Sequence, residues 1–174
     1  MESNSVKSNI LKFYIADFFA SFEFVAAIFV LYLISNDFSM TQVLILQSFF
    51  TVSIFLLEVP SGVFADLFGL KKTLIISQIC VIIGFIFYGL FSTFFTFMIA
   101  EFFIAMAWAL NSGTDSAFIY NTLEQIKKEG NFKKVMGRIQ SLSMISYGIS
   151  AAIGGYLASL AGYRNLFFIT AIFF

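Results

Sequence analysis

Residues 62–72 read Gly-Val-Phe-Ala-Asp-Leu-Phe-Gly-Leu-Lys-Lys and lie between two long apolar runs. Gly62, Asp66 and Gly69 follow one another at i, i+4 and i+7, so they share one face of a helix that runs into a turn. The two glycines permit close backbone approach, and Lys71 and Lys72 add positive charge. The pattern predicts a tight, charged hinge at a membrane surface.

The composition of the 174 residues is typical of a membrane protein. Hydrophobic residues make up 60% of the chain and charged residues 11%, whereas soluble domains contain roughly 45–50% apolar and about 25% charged residues. The mean hydropathy is +0.93. We therefore expect an all-α polytopic protein surrounded by the lipid bilayer. The formal net charge of zero argues against a nucleic-acid partner.

Apolar runs of about 20 residues predict six membrane spans. They lie near residues 13–34, 43–65, 73–91, 94–123, 135–161 and from 164 onward. With a cytoplasmic N-terminus, nine of the ten basic residues fall on the cytoplasmic side and Arg164 alone falls outside. The positive-inside rule thus predicts that residues 1–12 form a cytoplasmic N-terminal segment. We expect residues 13–174 to form one helical bundle in a multi-pass protein of the plasma membrane.

The chain lacks the residues that several kinds of catalytic and metal-binding sites require. The chain has no histidine, and Cys80 is its single cysteine, so an intrachain disulfide, a multi-cysteine metal cluster and a Ser-His-Asp triad are excluded. No glycine-rich phosphate loop ending in Lys-Ser or Lys-Thr occurs, and ATP hydrolysis is unsupported. We predict no cofactor, no metal site and no enzymatic activity.

The hinge at residues 62–72 resembles the signature loop between the second and third transmembrane helices of the major facilitator superfamily (MFS). The family's form is Gly, three residues, Asp, a basic residue, any residue, Gly and two basic residues. The positions that match are Gly62, Asp66, Gly69 and Lys71. Leu67 and Leu70 stand where the family usually has basic residues.

The resemblance implies that the chain is nearly all of the N-terminal half of a twelve-helix secondary transporter, built from two inverted three-helix repeats. Such a protein moves a small-molecule substrate by alternating access and draws its energy from an ion gradient. The residues that would form the cytoplasmic gating hinge are Gly62, Asp66, Gly69, Lys71 and Lys72.

The fourth predicted span carries a polar stripe at helical spacing, formed by Glu101, Ala105, Trp108, Ser112 and Asp115. Because charges in lipid are costly, such carboxylates normally face the bundle interior or a watery cavity. The resemblance places Glu23, Glu101, Trp108 and Ser112 near the substrate path. For Glu23 and Glu101, cavity lining and hydrogen bonding in helix packing are both open interpretations. Asp17 and Glu23, six residues apart, would point to different faces of a continuous helix.

Other residues are predicted to be structural. We expect Glu58 to pair with Arg138 or Lys71, and Asp115 to be held by structural pairing. Pro60, the single proline, is expected to kink or end the second span. A stripe of small residues in the fifth span predicts tight helix packing. It consists of Gly148, Ala151, Gly155, Ser159 and Gly162.

The sixth span is short. Residues 166–174 are nine residues without a charge, and at 1.5 Å per residue they cover only about 13 Å of a hydrocarbon core about 30 Å thick. We interpret the sequence as a fragment whose last helix is truncated and whose partner is a missing C-terminal six-helix half. The alternative is a short final helix capped by a partner.

A second function is a non-transporting six-helix membrane module that associates with a partner protein. The neighbouring DNA distinguishes the two hypotheses. A downstream reading frame encoding six more helices favours the transporter, and its absence favours the module.

The first prediction concerns topology. In a Cys80→Ala background, Gly130→Cys should resist an impermeant maleimide in intact cells and react after permeabilisation, because the loop at residues 124–134 is expected to be cytoplasmic. Gel-shift labelling measures this. Labelling of intact cells at position 130 would reverse the orientation.

Overall fold

The computed structural model describes residues 2–174, with side chains from Ser8 onward. These residues form eight α-helices and one 3₁₀ turn (Glu129–Asn131), and no strand occurs among them. The helices are α1 (Glu2–Ala20), α2 (Phe29–Ser35), α3 (Met40–Phe68), α4 (Leu70–Leu90), α5 (Phe94–Asn111), α6 (Thr114–Gln125), α7 (Phe132–Ala161) and α8 (Tyr163–Ala171).

Four helical stretches of the described chain are long and apolar enough to cross a membrane. They are Met40–Phe68, Leu70–Leu90, Phe94–Gln125 and Glu129–Ala161. These stretches correspond to the second to fifth predicted spans, and the sixth is represented by the nine residues of α8. The prediction of an all-α polytopic membrane protein is confirmed.

The first and fourth spans are broken, which corrects the prediction that each is one helix. The first span divides at residues 21–28 between α1 and α2, and the fourth divides at residues 112–113 between α5 and α6. In the fourth span, Gly113 has φ +76°, a left-handed conformation that glycine adopts without a Cβ clash. Polar side chains around it compete for backbone hydrogen bonds. The hydroxyl of Ser116, for example, donates to the Gly113 carbonyl at 2.9 Å.

The predicted hinge is shorter than expected. Helix α3 continues through Pro60 as far as Phe68, so this proline does not end the span. Only Gly69, with φ 85° and ψ 146°, separates α3 from α4. Gly62 and Asp66 therefore belong to the last turns of α3, and Gly69 is the single non-helical residue of the hinge.

The order of elements occurs twice along the chain. A broken helix is followed by a long helix, a one-residue glycine joint and a further helix. Gly162, between α7 and α8, has φ 81° and ψ 152°, which is nearly the backbone conformation of Gly69. The end of each broken helix also matches, because Asp37 after α2 and Lys127 after α6 both adopt positive φ. These correspondences support two related units of three spans.

The core is aromatic and lies where α2, α4, α5 and α8 meet. Tyr88 has no solvent exposure, and its ring centroid lies 4.7 Å from that of Phe97 and 5.1 Å from that of Phe167. The hydroxyl of Tyr32 donates to the Tyr88 carbonyl at 2.6 Å. Such ring pairs contribute about 0.5–1.5 kcal/mol each beyond the burial of their area, so this cluster ties α2 and α8 to the α4–α5 pair.

The small-residue face of α7 differs from the predicted stripe. Gly148, Gly155 and Ser159 are exposed, and a Cβ added at Gly148 or Gly155 would meet nothing within 4 Å. The buried small residues of α7 lie on another face, at four-residue spacing. They are Ser146, Ser150, Gly154 and Ala158. Within the described residues, helix α7 therefore packs through the face at residues 146–158 rather than through the predicted stripe. The sequence did not distinguish the two faces, because the adjacent glycines at 154 and 155 do not indicate which one is covered.

The buried face of α7 packs against the break in the first span. A Cβ on Gly154 would collide with the carbonyl oxygen of Phe24, a backbone atom in the turn between α1 and α2. One helical turn earlier, the hydroxyl of Ser150 accepts a hydrogen bond from the Glu23 backbone N–H at 3.1 Å. Helix α7 thus supplies both the space and the acceptor that the broken backbone requires.

The second prediction tests this contact. Gly154→Ala should lower the free energy of unfolding by about 1–3 kcal/mol, because the methyl group displaces the Phe24 backbone. Gly155→Ala, the control, should be neutral or stabilising by up to about 1 kcal/mol in the same helix. Thermal unfolding in detergent measures both. Equal midpoints for the two variants would contradict the contact.

Candidate functional site

A cavity of about 610 Å³ lies at the breaks of the first and fourth spans. It is open on one side and is bordered by α1 and the turn that follows it, by α4, by the α5–α6 junction and by α7. Its polar lining consists of Asp17, Ser21, Glu23, Ser77, Gln78, Trp108, Asn111, Ser112, Asp115, Gln140, Ser143 and Tyr147. A cavity that presents several polar side chains within an apolar bundle is the natural candidate for a solute site.

Two carboxylates of the first span face this cavity together. On a continuous helix Asp17 and Glu23 would point to different faces, but the chain leaves the helix after Ala20 and both residues line the cavity. Asp17 accepts a hydrogen bond from the hydroxyl of Ser143 on α7. The helix break is therefore what brings the two acidic groups to one site.

Amide side chains line the same cavity, and the sequence interpretation missed them. The Oε1 atom of Gln78 is buried and has no hydrogen-bond partner among the described residues. An unpartnered buried acceptor is costly, so this oxygen offers a place for a donor group of a solute or a water molecule. Asn111 and Gln140 also contribute to the lining. The signal in the sequence was an isolated amide within an apolar span.

The α5–α6 junction contributes Trp108, Ser112 and Asp115 to the lining, as the resemblance implied for the first two. The Trp108 side chain is 57% exposed and meets the edge of Phe50 with ring centroids 6.0 Å apart. Asp115 lies in the first turn of α6, and its Oδ1 accepts from the Ser116 backbone N–H at 2.6 Å. A carboxylate at a helix N-terminus is stabilised by the helix dipole.

Glu101 is not among the cavity-lining residues. Its side chain is 4% exposed, and its Oε1 accepts a hydrogen bond from the buried hydroxyl of Tyr88 at 2.6 Å. Of the two interpretations of Glu101, the structure favours hydrogen bonding in helix packing, with a tyrosine of α4 as the donor. The predicted polar stripe therefore has two environments. Glu101 is buried in a packing contact, whereas Trp108, Ser112 and Asp115 line the cavity.

The hinge, Glu58 and Arg138 lie away from the cavity, whereas Asp115, which was also predicted to be a structural charge, lines it. Asp66, Lys71 and Lys72 are exposed around the Gly69 joint, as is Gly62 one turn before Asp66. Glu58 and Arg138 are also exposed, and their pairing stays a prediction. Among the side chains from Ser8 onward, no group of three or more Cys, Asp or Glu residues is placed to hold a metal ion.

The third prediction concerns the Tyr88–Glu101 contact. Tyr88→Phe should lower the free energy of unfolding by about 1–3 kcal/mol, because it leaves a buried carboxyl group without its donor. Tyr156→Phe is the control, since Tyr156 is 66% exposed. Replacing both partners, in Tyr88→Phe with Glu101→Leu, should recover part of the loss. Thermal unfolding in detergent measures all three, and equal stability of the two tyrosine variants would refute the contact.

Comparison with known proteins is consistent with this architecture. A model of the Major Facilitator Superfamily matches residues 13–174. Over 149 residues the chain is 30% identical to the "Uncharacterized MFS-type transporter YxaM" of Bacillus subtilis (strain 168), a match that covers 84% of this chain and 36% of that protein. The chain thus spans about a third of the length of this relative. The extent of the family match establishes that the chain belongs to the Major Facilitator Superfamily.

Proposed function

We propose that this chain forms one six-helix half of a secondary transporter that carries a small solute across the plasma membrane by alternating access. The observation that supports this most directly is the polar cavity at the two helix breaks. In secondary transporters, substrate and ion sites lie near the bilayer midplane and are formed by discontinuous helices. The N-terminus lies in the cytoplasm in this proposal.

In the proposed mechanism, Glu23, Trp108 and Ser112 contact the solute. Glu23 supplies a hydrogen-bond acceptor with negative charge, Trp108 an exposed aromatic face and Ser112 a hydroxyl group. This combination suits a solute that has hydrogen-bond donors or positive charge together with an apolar part. Glu101 acts indirectly, since its hydrogen bond to Tyr88 holds α4 and α5 together beside the cavity.

The energy source in this proposal is an ion gradient. Asp17 and Glu23 face one cavity, and acidic groups buried in a membrane protein are the usual carriers of a coupled proton or cation. The transporting unit includes a further six-helix half, which supplies the opposite wall of the cavity. The length of the matched relative is consistent with such an arrangement, because this chain covers 36% of it.

The hinge is proposed to control exchange between conformations. Gly69 is the sole joint between α3 and α4, so movement of one helix is transmitted directly to the other. Asp66, three residues before this joint, and Lys71 and Lys72 beyond it are exposed and free to contact the other half. Charge contacts made in one conformation and lost in the other set the balance between the two.

The fourth prediction tests hinge and cavity in the complete transporter. Asp66→Asn and Glu23→Gln should each reduce gradient-driven uptake by about tenfold, equivalent to about 1.4 kcal/mol, because each removes a charge used in one conformational state. Asp37→Asn is the control, since Asp37 is an exposed aspartate at another helix joint. Uptake is measured in liposomes under an imposed proton or sodium gradient with a panel of amphiphilic and small-metabolite solutes.

Three outcomes would contradict parts of the proposal. Equal uptake by Asp66→Asn and Asp37→Asn at equal membrane abundance would make Asp66 an ordinary surface carboxylate. Gradient-driven uptake by the 174-residue chain alone, lost in Glu23→Gln, would mean that no second half is required. No uptake of any solute by the complete protein would favour the non-transporting module instead.

A further inference from the structure

A second cavity, of about 380 Å³, lies where α1, the end of α6 and the start of α7 meet. It shares no lining residue with the cavity at the helix breaks. Its position beside the loop that joins α6 to α7 places it at one end of the bundle. The proposed transport mechanism gives this cavity no role.

One wall of this second cavity is apolar. Helix α1 contributes Ile10, Leu11 and Tyr14, and the side chain of Leu11 is 60% exposed. The wall is fixed to α7, because the hydroxyl of Tyr14 donates to the Val135 carbonyl at 3.1 Å. An apolar surface held open in this way can receive part of a hydrocarbon chain.

The other wall is cationic. Lys128, Lys134 and Arg138 line it, and no acidic residue belongs to the lining. Lys128 is positioned by the turn that ends α6. In that turn Lys127 has φ +55°, and the Lys128 N–H donates to the Leu123 carbonyl at 2.9 Å. The turn and α7 thereby direct three positive side chains to one cavity.

The length of α7 indicates where the second cavity lies along the membrane normal. Its 30 residues extend about 45 Å, whereas the hydrocarbon core is about 30 Å thick. Residues 139–161 of this helix carry no charge and extend about 35 Å by themselves, so the first turns of α7, which carry Lys134 and Arg138, lie in the head-group layer. Exposed basic residues on both sides of the 3₁₀ turn fit this position.

We propose that this second cavity binds one anionic glycerophospholipid of the adjacent leaflet. The phosphate group lies among Lys128, Lys134 and Arg138, and the start of an acyl chain lies along Leu11. Charge complementarity selects an anionic head group, and the apolar wall selects a lipid over a free phosphate ion. The assignment is independent of transport, because it uses neither the cavity at the helix breaks nor the hinge.

The test is lipid titration of the full chain in detergent, followed by native mass spectrometry. Dioleoyl phosphatidylglycerol should bind about tenfold or more tightly than dioleoyl phosphatidylcholine, which has the same acyl chains and no net charge. The double variant Lys128→Gln with Lys134→Gln should lose about tenfold in affinity for phosphatidylglycerol. The matched control, Lys127→Gln with Lys133→Gln, removes the same charge from adjacent residues outside the lining and should lose less than about twofold.

Additional variants and competition measurements show whether the bound ligand is a lipid or a free anion. Leu11→Ser should weaken phosphatidylglycerol binding several-fold, while Ile15→Ser, an exposed position one turn along α1 and outside the lining, should not. Inorganic phosphate and soluble glycerophosphoglycerol at millimolar concentration should not displace the lipid. Circular dichroism verifies folding of each variant. If the double variant unfolds, Lys134→Gln and Lys133→Gln are compared singly.

Three results would overturn the proposal. Equal affinity losses in the lining and control pairs would reduce the effect to general surface charge. Equal binding of phosphatidylcholine and phosphatidylglycerol would remove the anionic selectivity. Displacement by inorganic phosphate, with no effect of Leu11→Ser, would make the cavity a free-anion site.

Discussion

Within a bilayer every backbone N–H and C=O must find a partner inside the protein, and this constraint shapes the site. The first span leaves the helical path at residues 21–28. The Glu23 N–H in this segment donates to the Ser150 hydroxyl on α7, and the Phe24 carbonyl lies against Gly154. The break therefore depends on its contacts with α7. The break in turn allows two acidic residues, Asp17 and Glu23, to line one cavity.

The sequence predicted those parts of the fold that depend on neighbouring residues along the chain. The apolar runs located the second to fifth spans, and the glycine-aspartate-glycine spacing located the joint at Gly69. The break in the first span could not be predicted in this way, because no proline or glycine marks residues 21–28 and its partner Ser150 lies 127 residues away. For the same reason Asp17 and Glu23 were assigned to different faces although they line one cavity. The break at Gly113 had a local signal, since a glycine stood among polar residues.

The assignment of Glu101 depended on a partner that sequence spacing does not identify. A carboxylate in an apolar span indicates either a cavity or a specific donor. The donor here is Tyr88, on a neighbouring helix within the aromatic core. Burial of this pair allows α4 and α5 to pack closely with an acidic residue between them. The polar groups that remain for a solute are those at the two breaks.

The one-residue joints at Gly69 and Gly162 also limit which substitutions the chain can accept. A connection of one residue leaves no slack, so the φ and ψ of a single glycine set the angle between α3 and α4, and another glycine sets the angle between α7 and α8. Each hairpin carries its own turn geometry in a single glycine. The φ and ψ values of the two glycines lie in a region that is essentially restricted to glycine, so a side chain at either position would strain the joint even though a Cβ there would meet nothing within 4 Å.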